Sequence, residues 1–322
     1  MFGFYFAVNR HHGGTMNLRR LKYFVKIVDI GSLTQAAEVL HIAQPALSQQ
    51  LATLEGELNQ QLLIRSKRGV MPTEAGNILY AHAQTILRQC EQAQSAVCSA
   101  GQAMSGQVAV GLASGSAAAQ LALPLLQAVR ERHPGILLSL HEHAGAELPG
   151  QIENYRLDMA VLYGAKTPPG LTATLLAKEE LYLVATRAVP SPGNSVDLMD
   201  VSRLNLFLPR EGDVVRNQVD EAMAVRRLAA NVIGEIESPS TLSAAIAGGL
   251  GATILPESAA RAMIGPAKAW MARIISPALA VPMTLCVSSQ QPLSAPALAV
   301  KELLLSIVAE RSQEKRALVL VQ

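Results

Sequence analysis

Cysteine is scarce in this chain. The three present, Cys90, Cys98 and Cys286, are odd in number and have no metal-ligand spacing, which argues against a disulfide framework or a thiolate metal site. A charge of one sign is also missing. With 27 Lys and Arg against 25 Asp and Glu, the net charge of +2 makes no case for nucleic acid by itself. No apolar run approaches the roughly 20 residues that span a bilayer, so no membrane partner is expected. No G-x-S-x-G, P-loop or H-E-x-x-H occurs, and the serines of "LASGS" have no assignable His and Asp partners, so no catalytic residue is expected. "GGLGATIL" is glycine-rich, but it leaves a helix and enters a strand, the reverse of a dinucleotide-binding turn, and it lacks the third glycine. His141 and His143 share one strand face without a third ligand at useful spacing. Neither a metal nor a cofactor is expected. What is present is a globular composition, 50% hydrophobic and 16% charged over 322 residues, enough for two or three domains.

The opening "MFGFYFAVNRHHGGTM" lacks the basic start and the small-residue cleavage site of a signal peptide. Residues 1–15 read as an extension outside the fold. Codons for Gly13-Gly14 can spell a ribosome-binding sequence, which makes Met16 the expected natural start and the preceding residues translated leader. A disordered arm is the other reading.

After Met16 the pattern is helical. Leu18, Leu21, Phe24, Val25 and Val28 recur at i, i+3, i+6, i+7 and i+10, and Gly31 ends the run. Ser32 followed by Gln35 is a capping-box pattern that opens a second helix. Ala36, Ala37 and Leu40 give this helix a thin apolar face. A short turn follows, and Pro45 suits the first position of a third helix. Two helices joined by such a turn make a helix-turn-helix unit.

The third helix is unusual on its outer side. Leu47, Leu51, Leu54 and Leu58 face a core, while the opposite side carries Gln44, Pro45, Ser48 and Gln49. A solvated face normally carries Lys and Glu. A short, polar, uncharged face instead suits the base edges of a DNA major groove, where Gln bonds adenine in bidentate fashion and Ser donates or accepts. Charges belong at the flanks, beside the phosphates. "RSKRGVMPT" supplies them: Arg65, Lys67 and Arg68 sit on a predicted β-hairpin, or wing, placed to bind phosphate or enter the minor groove. Ser32, Thr34 and Gln35 at the start of the second helix complete the candidate DNA contacts. Each piece alone has an ordinary reading, a helical hairpin or a solvated basic loop; their order makes the case.

Over residues 16–75 the chain resembles the winged helix-turn-helix of the LysR-type transcriptional regulators. The resemblance rests on Phe24, Gly31-Ser32, Ala36-Ala37, Gln44-Pro45-Ala46-Leu47-Ser48, Leu54-Glu55, Leu58 and Pro72-Thr73-x-Ala75-Gly76. It extends to the end of the chain, including "WMARI" and "AVKELL". It implies a cytoplasmic, homodimeric or homotetrameric regulator that activates or represses genes of nitrogen assimilation, binds double-stranded DNA and contacts RNA polymerase. It further implies that the positions of Gln44, Pro45 and Ser48 touch bases and that those of Arg65 and Arg68 touch the DNA backbone or minor groove.

From Thr73, a capping residue followed by Glu74, a long helix is predicted. Leu79, Ala83, Ile86, Cys90, Ala93, Val97 and Ala100 alternate at spacings of 4 and 3, a heptad seam. A rod of about 42 Å cannot bury such a stripe alone. Pairing with the same helix of a second copy is expected, and it would place two reading heads on neighbouring half-sites. Packing on its own domain is the competing reading. Cys90 reads as a small seam hydrophobe rather than a redox switch.

Residues 106–322 read as alternating strands and helices, hence a largely parallel α/β sheet. The length favours two lobes with crossings near 178–182 and 280–284: lobe I about 106–178 and 281–322, lobe II about 179–280. The resemblance implies the same arrangement, a periplasmic-binding-protein-like effector module preceded by a winged helix domain (16–73) and a linker helix (74–105). Ligands in open α/β sheets sit where strands end and helices begin. Here that points to Ser114, Ser116, Arg210, Ser238, Ser240 and Thr241, a set suited to a small carboxylate effector. The same serines also read as ordinary helix caps. The resemblance implies a regulator that works without a small-molecule co-inducer, so the effector stays open. The competing functional classes are a small-molecule-binding or enzymatic α/β protein with an accessory helical domain, and an architectural DNA-binding protein.

Overall fold

Asn17 opens the first helix by accepting a hydrogen bond from the Arg19 N–H at 2.8 Å. The computed structural model describes residues 17–66, 69–98, 104–164, 166–187 and 194–319. The expectation for residues 1–15 lies outside the described residues. The chain divides into two compact units on either side of the Ala93–Gln94 bond.

In the first unit, α1 (Leu18–Ile30) buries Leu21, Phe24 and Ile27 and ends at Gly31, whose φ of 71° suits a residue without a Cβ. The helix α2 (Leu33–Val39) is capped by Ser32, which accepts from the Gln35 N–H. The helix α3 (Gln44–Leu58) buries Leu47, Leu51 and Leu54. It begins at Gln44, so Pro45 takes its second position rather than the expected first; a proline is tolerated at either, since neither N–H has an intrahelical acceptor. Strands β1 (Leu63–Ser66) and β2 (Gly69–Pro72) pair antiparallel as a hairpin. Thr73 Oγ1 then accepts from the Gly76 N–H at 3.0 Å and starts α4 (Glu74–Cys98). One correction follows for the seam. Leu79 and Ala83 are 9% and 0% exposed and belong to the core of this unit with Phe24 and Leu54, so their surface is spent within the chain.

The second unit runs β3 (Ser105–Ala113), α5 (Ser116–Arg132), β4 (Gly135–His143), α6 (Leu148–Glu153), β5 (Met159–Tyr163) and β6 (Leu171–Ala185). It continues through β7 (Ser195–Asp197), α7 (Leu198–Ser202), β8 (Leu206–Leu208), α8 (Val214–Val225), β9 (Val232–Glu235), α9 (Pro239–Ala247) and β10 (Ala252–Pro256). It ends with α10 (Glu257–Ile264), β11 (Trp270–Ile275), β12 (Ala280–Ser288) and α11 (Ala295–Val319). The strand β6 is shared by two lobes. Its residues 171–180 pair with β12, in the order β4-β3-β5-β12-β6. Its residues 181–185 pair with β10, which leads to β8 and β9, while β11 and β7 extend the other side.

The sheet is mixed rather than largely parallel. The ladders β3–β4, β3–β5, β8–β10, β8–β9 and β7–β11 are parallel. Every ladder that β6 makes is antiparallel, with β12, β10 and β11 alike, and β12 is also antiparallel to β5. The antiparallel order enters with the two strands that carry the chain between lobes, because one leaves lobe I and the other returns to it. Each lobe has its own core, Leu112, Leu121, Met159 and Leu304 in one, Leu183, Leu206, Val219 and Ile254 in the other. The elements β7, α7, α10 and β11 are absent from the sequence reading.

Candidate nucleic-acid interface

The reading helix is held by its apolar side and left free on the other. Leu47, Leu51 and Leu54 are buried, whereas Gln44, Pro45 and Gln49 are exposed and Ser48 is half-buried. A second anchor, invisible in the hydrophobic pattern, comes from α1. Arg20 donates through Nε to Gln50 Oε1 at 3.1 Å and forms an ion pair with Glu57, so a cation on α1 clamps two turns of α3. Thr34 and Gln35 on α2 are exposed. The Ser32 hydroxyl is used as a helix cap, which leaves it less free for phosphate than its neighbours.

The wing is fixed at three points. Glu55 Oε1 accepts from the backbone N–H groups of Leu62 at 2.8 Å and Leu63 at 3.2 Å, tying the end of α3 to the start of β1. The Val70 N–H donates to the Gly31 carbonyl at 2.8 Å, joining β2 to the turn between α1 and α2. Gly69 makes that approach possible: its φ is 117°, and a Cβ there would lie 2.6 Å from the Gly31 oxygen. Finally, Arg65 Nη2 on β1 donates to Ser48 Oγ on α3 at 3.0 Å. The residue expected on phosphate and the residue expected on bases therefore touch one another. Lys67 and Arg68 lie outside the described residues.

The long helix α4 is oriented on this unit by polar contacts. Tyr80 donates to Asp29 Oδ1 at 2.5 Å, and Gln84 Nε2 donates to the Tyr80 oxygen at 2.8 Å. Along the predicted seam, Leu79 and Ala83 are buried, Ile86 and Cys90 are half-buried, Ala93 is exposed and Val97 is 77% exposed. Beside it lies an apolar groove of about 440 Å³ lined by Leu58, Leu62, Ala75, Ile78, His82 and Ile86. Ile78 is 58% exposed there.

In the α/β unit Arg210, Ser238 and Ser240, three of the expected effector groups, have partners within the chain. The Gly115 N–H, at the start of α5 beside Ser114, donates to the Glu142 carboxylate at 3.2 Å. Ser116 begins α5, and its side chain lies outside the described residues. Arg210 pairs with Glu237 at 2.9 Å. Ser238 caps α9 by accepting from the Thr241 N–H and lies 3.0 Å from the Ser240 hydroxyl. His141 and His143 stack with ring centroids 6.3 Å apart, and among the described residues no group of three metal-binding side chains occurs.

The polar link between the lobes runs through a residue that sequence reasoning missed. Glu179, at the crossing on β6, is 3% exposed. Its carboxylate accepts from Tyr163 Oη at 2.9 Å and Gln120 Nε2 at 3.2 Å in lobe I, and from the Ser258 hydroxyl at 2.7 Å and N–H at 3.2 Å in lobe II. A signal was available. Leu181, Leu183 and Ala185 alternate inward along β6, and stepping back by two places Glu179 on the same face.

A helix-turn-helix with a fixed wing, a long partly exposed helix and a two-lobed α/β module together define a DNA-binding regulator with an effector-type domain. The comparisons with known proteins agree in both halves. A family described as bacterial regulatory helix-turn-helix proteins of the lysR family matches residues 18–77, and the LysR substrate binding domain matches residues 101–308. The chain belongs to the LysR family. It is 60% identical over 306 residues to the nitrogen assimilation regulatory protein nac of Klebsiella aerogenes, covering 95% of this chain and 100% of that one. It is 58% identical over 301 residues to the protein of the same name from Escherichia coli K12, covering 94% and 98%. The fold is also that of full-length CbnR complexed with its target DNA, with a TM-score of 0.71 at 22% identity, covering 92% of this chain and 99% of CbnR.

Proposed function

We propose that this protein is a transcriptional regulator of nitrogen-assimilation genes that binds dyad-related DNA half-sites as a homodimer or tetramer. The observation that carries the reading is the outer face of α3. Gln44, Pro45 and Gln49 stand exposed and uncharged beside a wing whose basic strand is fixed to the same helix. The similarity to the two nitrogen assimilation regulatory proteins supports the choice of genes. Gln44, Pro45, Ser48 and Gln49 read bases; Arg65, Lys67, Arg68, Thr34 and Gln35 bind the backbone or minor groove, with Ser32 holding α2 in place. The change of partner along β6 at Glu180/Leu181 supports the two lobes proposed for the module.

The second copy covers the far half of the α4 seam, Ile86, Cys90, Ala93 and Val97, and the apolar groove that Ile78 and Ile86 line. Activity at promoters then requires contact with RNA polymerase, in the cytoplasm, and no catalysis. Among the described residues no helix is long and apolar enough to cross a membrane. An anionic effector at the start of α5 would have to displace the Glu142 carboxylate, which supports regulation without one. Incubating the full-length protein with sheared genomic DNA at stepped salt, and sequencing what is retained, tests the reading. Enrichment of a short interrupted palindrome near nitrogen-metabolism promoters is expected. No enrichment at any salt would overturn it.

A further inference from the structure

The contact between Arg65 and Ser48 carries more than a fixed wing. Its direction is chemically unambiguous. A guanidinium only donates, so Ser48 Oγ is the acceptor at 3.0 Å. A serine hydroxyl has one proton and two lone pairs, and Arg65 takes one of the lone pairs. The proton remains. Thr53, on the same helix, gives its proton to the Gln49 carbonyl at 2.9 Å. Ser48 makes no corresponding bond among the described residues, and it sits between Gln44 and Gln49 on the side that faces outward. The second lone pair is next to a fixed positive charge, which disfavours a further donor such as a base amino group and favours an acceptor for the hydroxyl proton.

We propose that Arg65 sets the hydrogen-bond polarity of Ser48, so that this serine reads only acceptor atoms in the major groove: guanine O6 or N7, adenine N7 or thymine O4. Cytosine N4 and adenine N6, which are donors, are discriminated against. Arg65 is thus a positioning residue for base specificity in addition to any phosphate it binds. The inference rests on the proposed DNA-binding role, and its test separates the two.

Full-length protein is first used to select its site from random-sequence DNA. The base pair at which Ser48→Ala loses preference locates the contact. Purines lacking N7 (7-deaza analogues), a guanine lacking O6 or a thymine lacking O4 are then placed there one at a time, along with N4-methylcytosine opposite. Removing the correct acceptor should weaken the wild type about three- to tenfold and leave Ser48→Ala unaffected. N4-methylation should change neither. Arg65→Ala should lose the preference at that one base pair by a similar factor while preferences elsewhere in the site persist. Three results would overturn the inference. One is a Ser48 contact that maps to a base amino group. Another is an Arg65→Ala protein that weakens all sequences equally and keeps its preference at the Ser48 pair. The third is a wild type that selects no sequence, which removes the DNA reading and this inference with it. The base-analogue arm needs no Arg65 variant, so a misfolded substitution does not blunt the test.

Discussion

At the scale of single residues, the candidate interface depends on side chains that hold backbone more than on those that face outward. Glu55 is the clearest case, because one carboxylate oxygen satisfies two N–H groups at the joint between reading helix and wing. Glu55→Ala should lower stability by about 1–3 kcal/mol by stranding those donors, and the loss is read directly from denaturant unfolding. DNA affinity should fall with it, since the wing loses one of its three anchors. The cysteines make a second residue-scale prediction. Cys286 is buried, and desolvation pushes its thiol above the ordinary value, which keeps it protonated and shielded at neutral pH. A thiol reagent at pH 7–8 should leave Cys286 unlabelled in the folded protein and reach it only on unfolding, as followed by mass spectrometry of labelled peptides. Labelling of Cys286 before unfolding would contradict this packing.

At the scale of elements, α4 is split in its task. Its first turns close the core of the winged unit, and its later turns leave Ala93 and Val97 open. Introducing acidic residues at Ile86 and Val97 should shift the sedimentation coefficient toward the monomer; an unchanged value would sink the role given to this surface. The heptad spacing was legible in the sequence, but the division was not. A repeat of apolar residues shows that a stripe must be covered without showing which part the chain covers itself. The crossing strand β6 shows the same limit. Its inward alternation is plain in the sequence, yet the four donors around Glu179 come from positions 16 to 79 residues away. Glu179→Gln replaces an acceptor-only group by an amide whose NH₂ would face the Ser258 donors or Tyr163. It should cost about 1–3 kcal/mol, and hydrogen exchange should quicken at the start of α10 before the rest of lobe II.

At the scale of the whole molecule, the change from helical spacing to alternating strands and helices was legible in the sequence, whereas the division at Ala93–Gln94 falls inside α4 and the crossing between lobes falls inside β6, where no period changes. Residues 18–58 repeat at helical spacing, and residues beyond 105 alternate strand with helix. The winged helix emerged almost complete because its contacts are short-range, and its turns carry Gly31, Pro45 and Gly69 where the backbone needs them. What escaped was long-range polar chemistry, namely the Arg20 clamp, the Arg65–Ser48 bond and the Glu179 cluster. Hydrophobic periodicity carries no record of which hydrogen-bonding groups meet after folding.

The most direct test of the central claim is the affinity of Gln44→Ala and of the wild type for one selected site and for an unrelated duplex of equal length, each across a salt series. If the outer face of α3 reads bases, the variant should lose roughly 1–3 kcal/mol on the selected site and almost nothing on the unrelated duplex, with the salt slope unchanged. Equal losses on both duplexes, or a lowered melting temperature with discrimination intact, would mean that this face serves structure and that the sequence is read elsewhere.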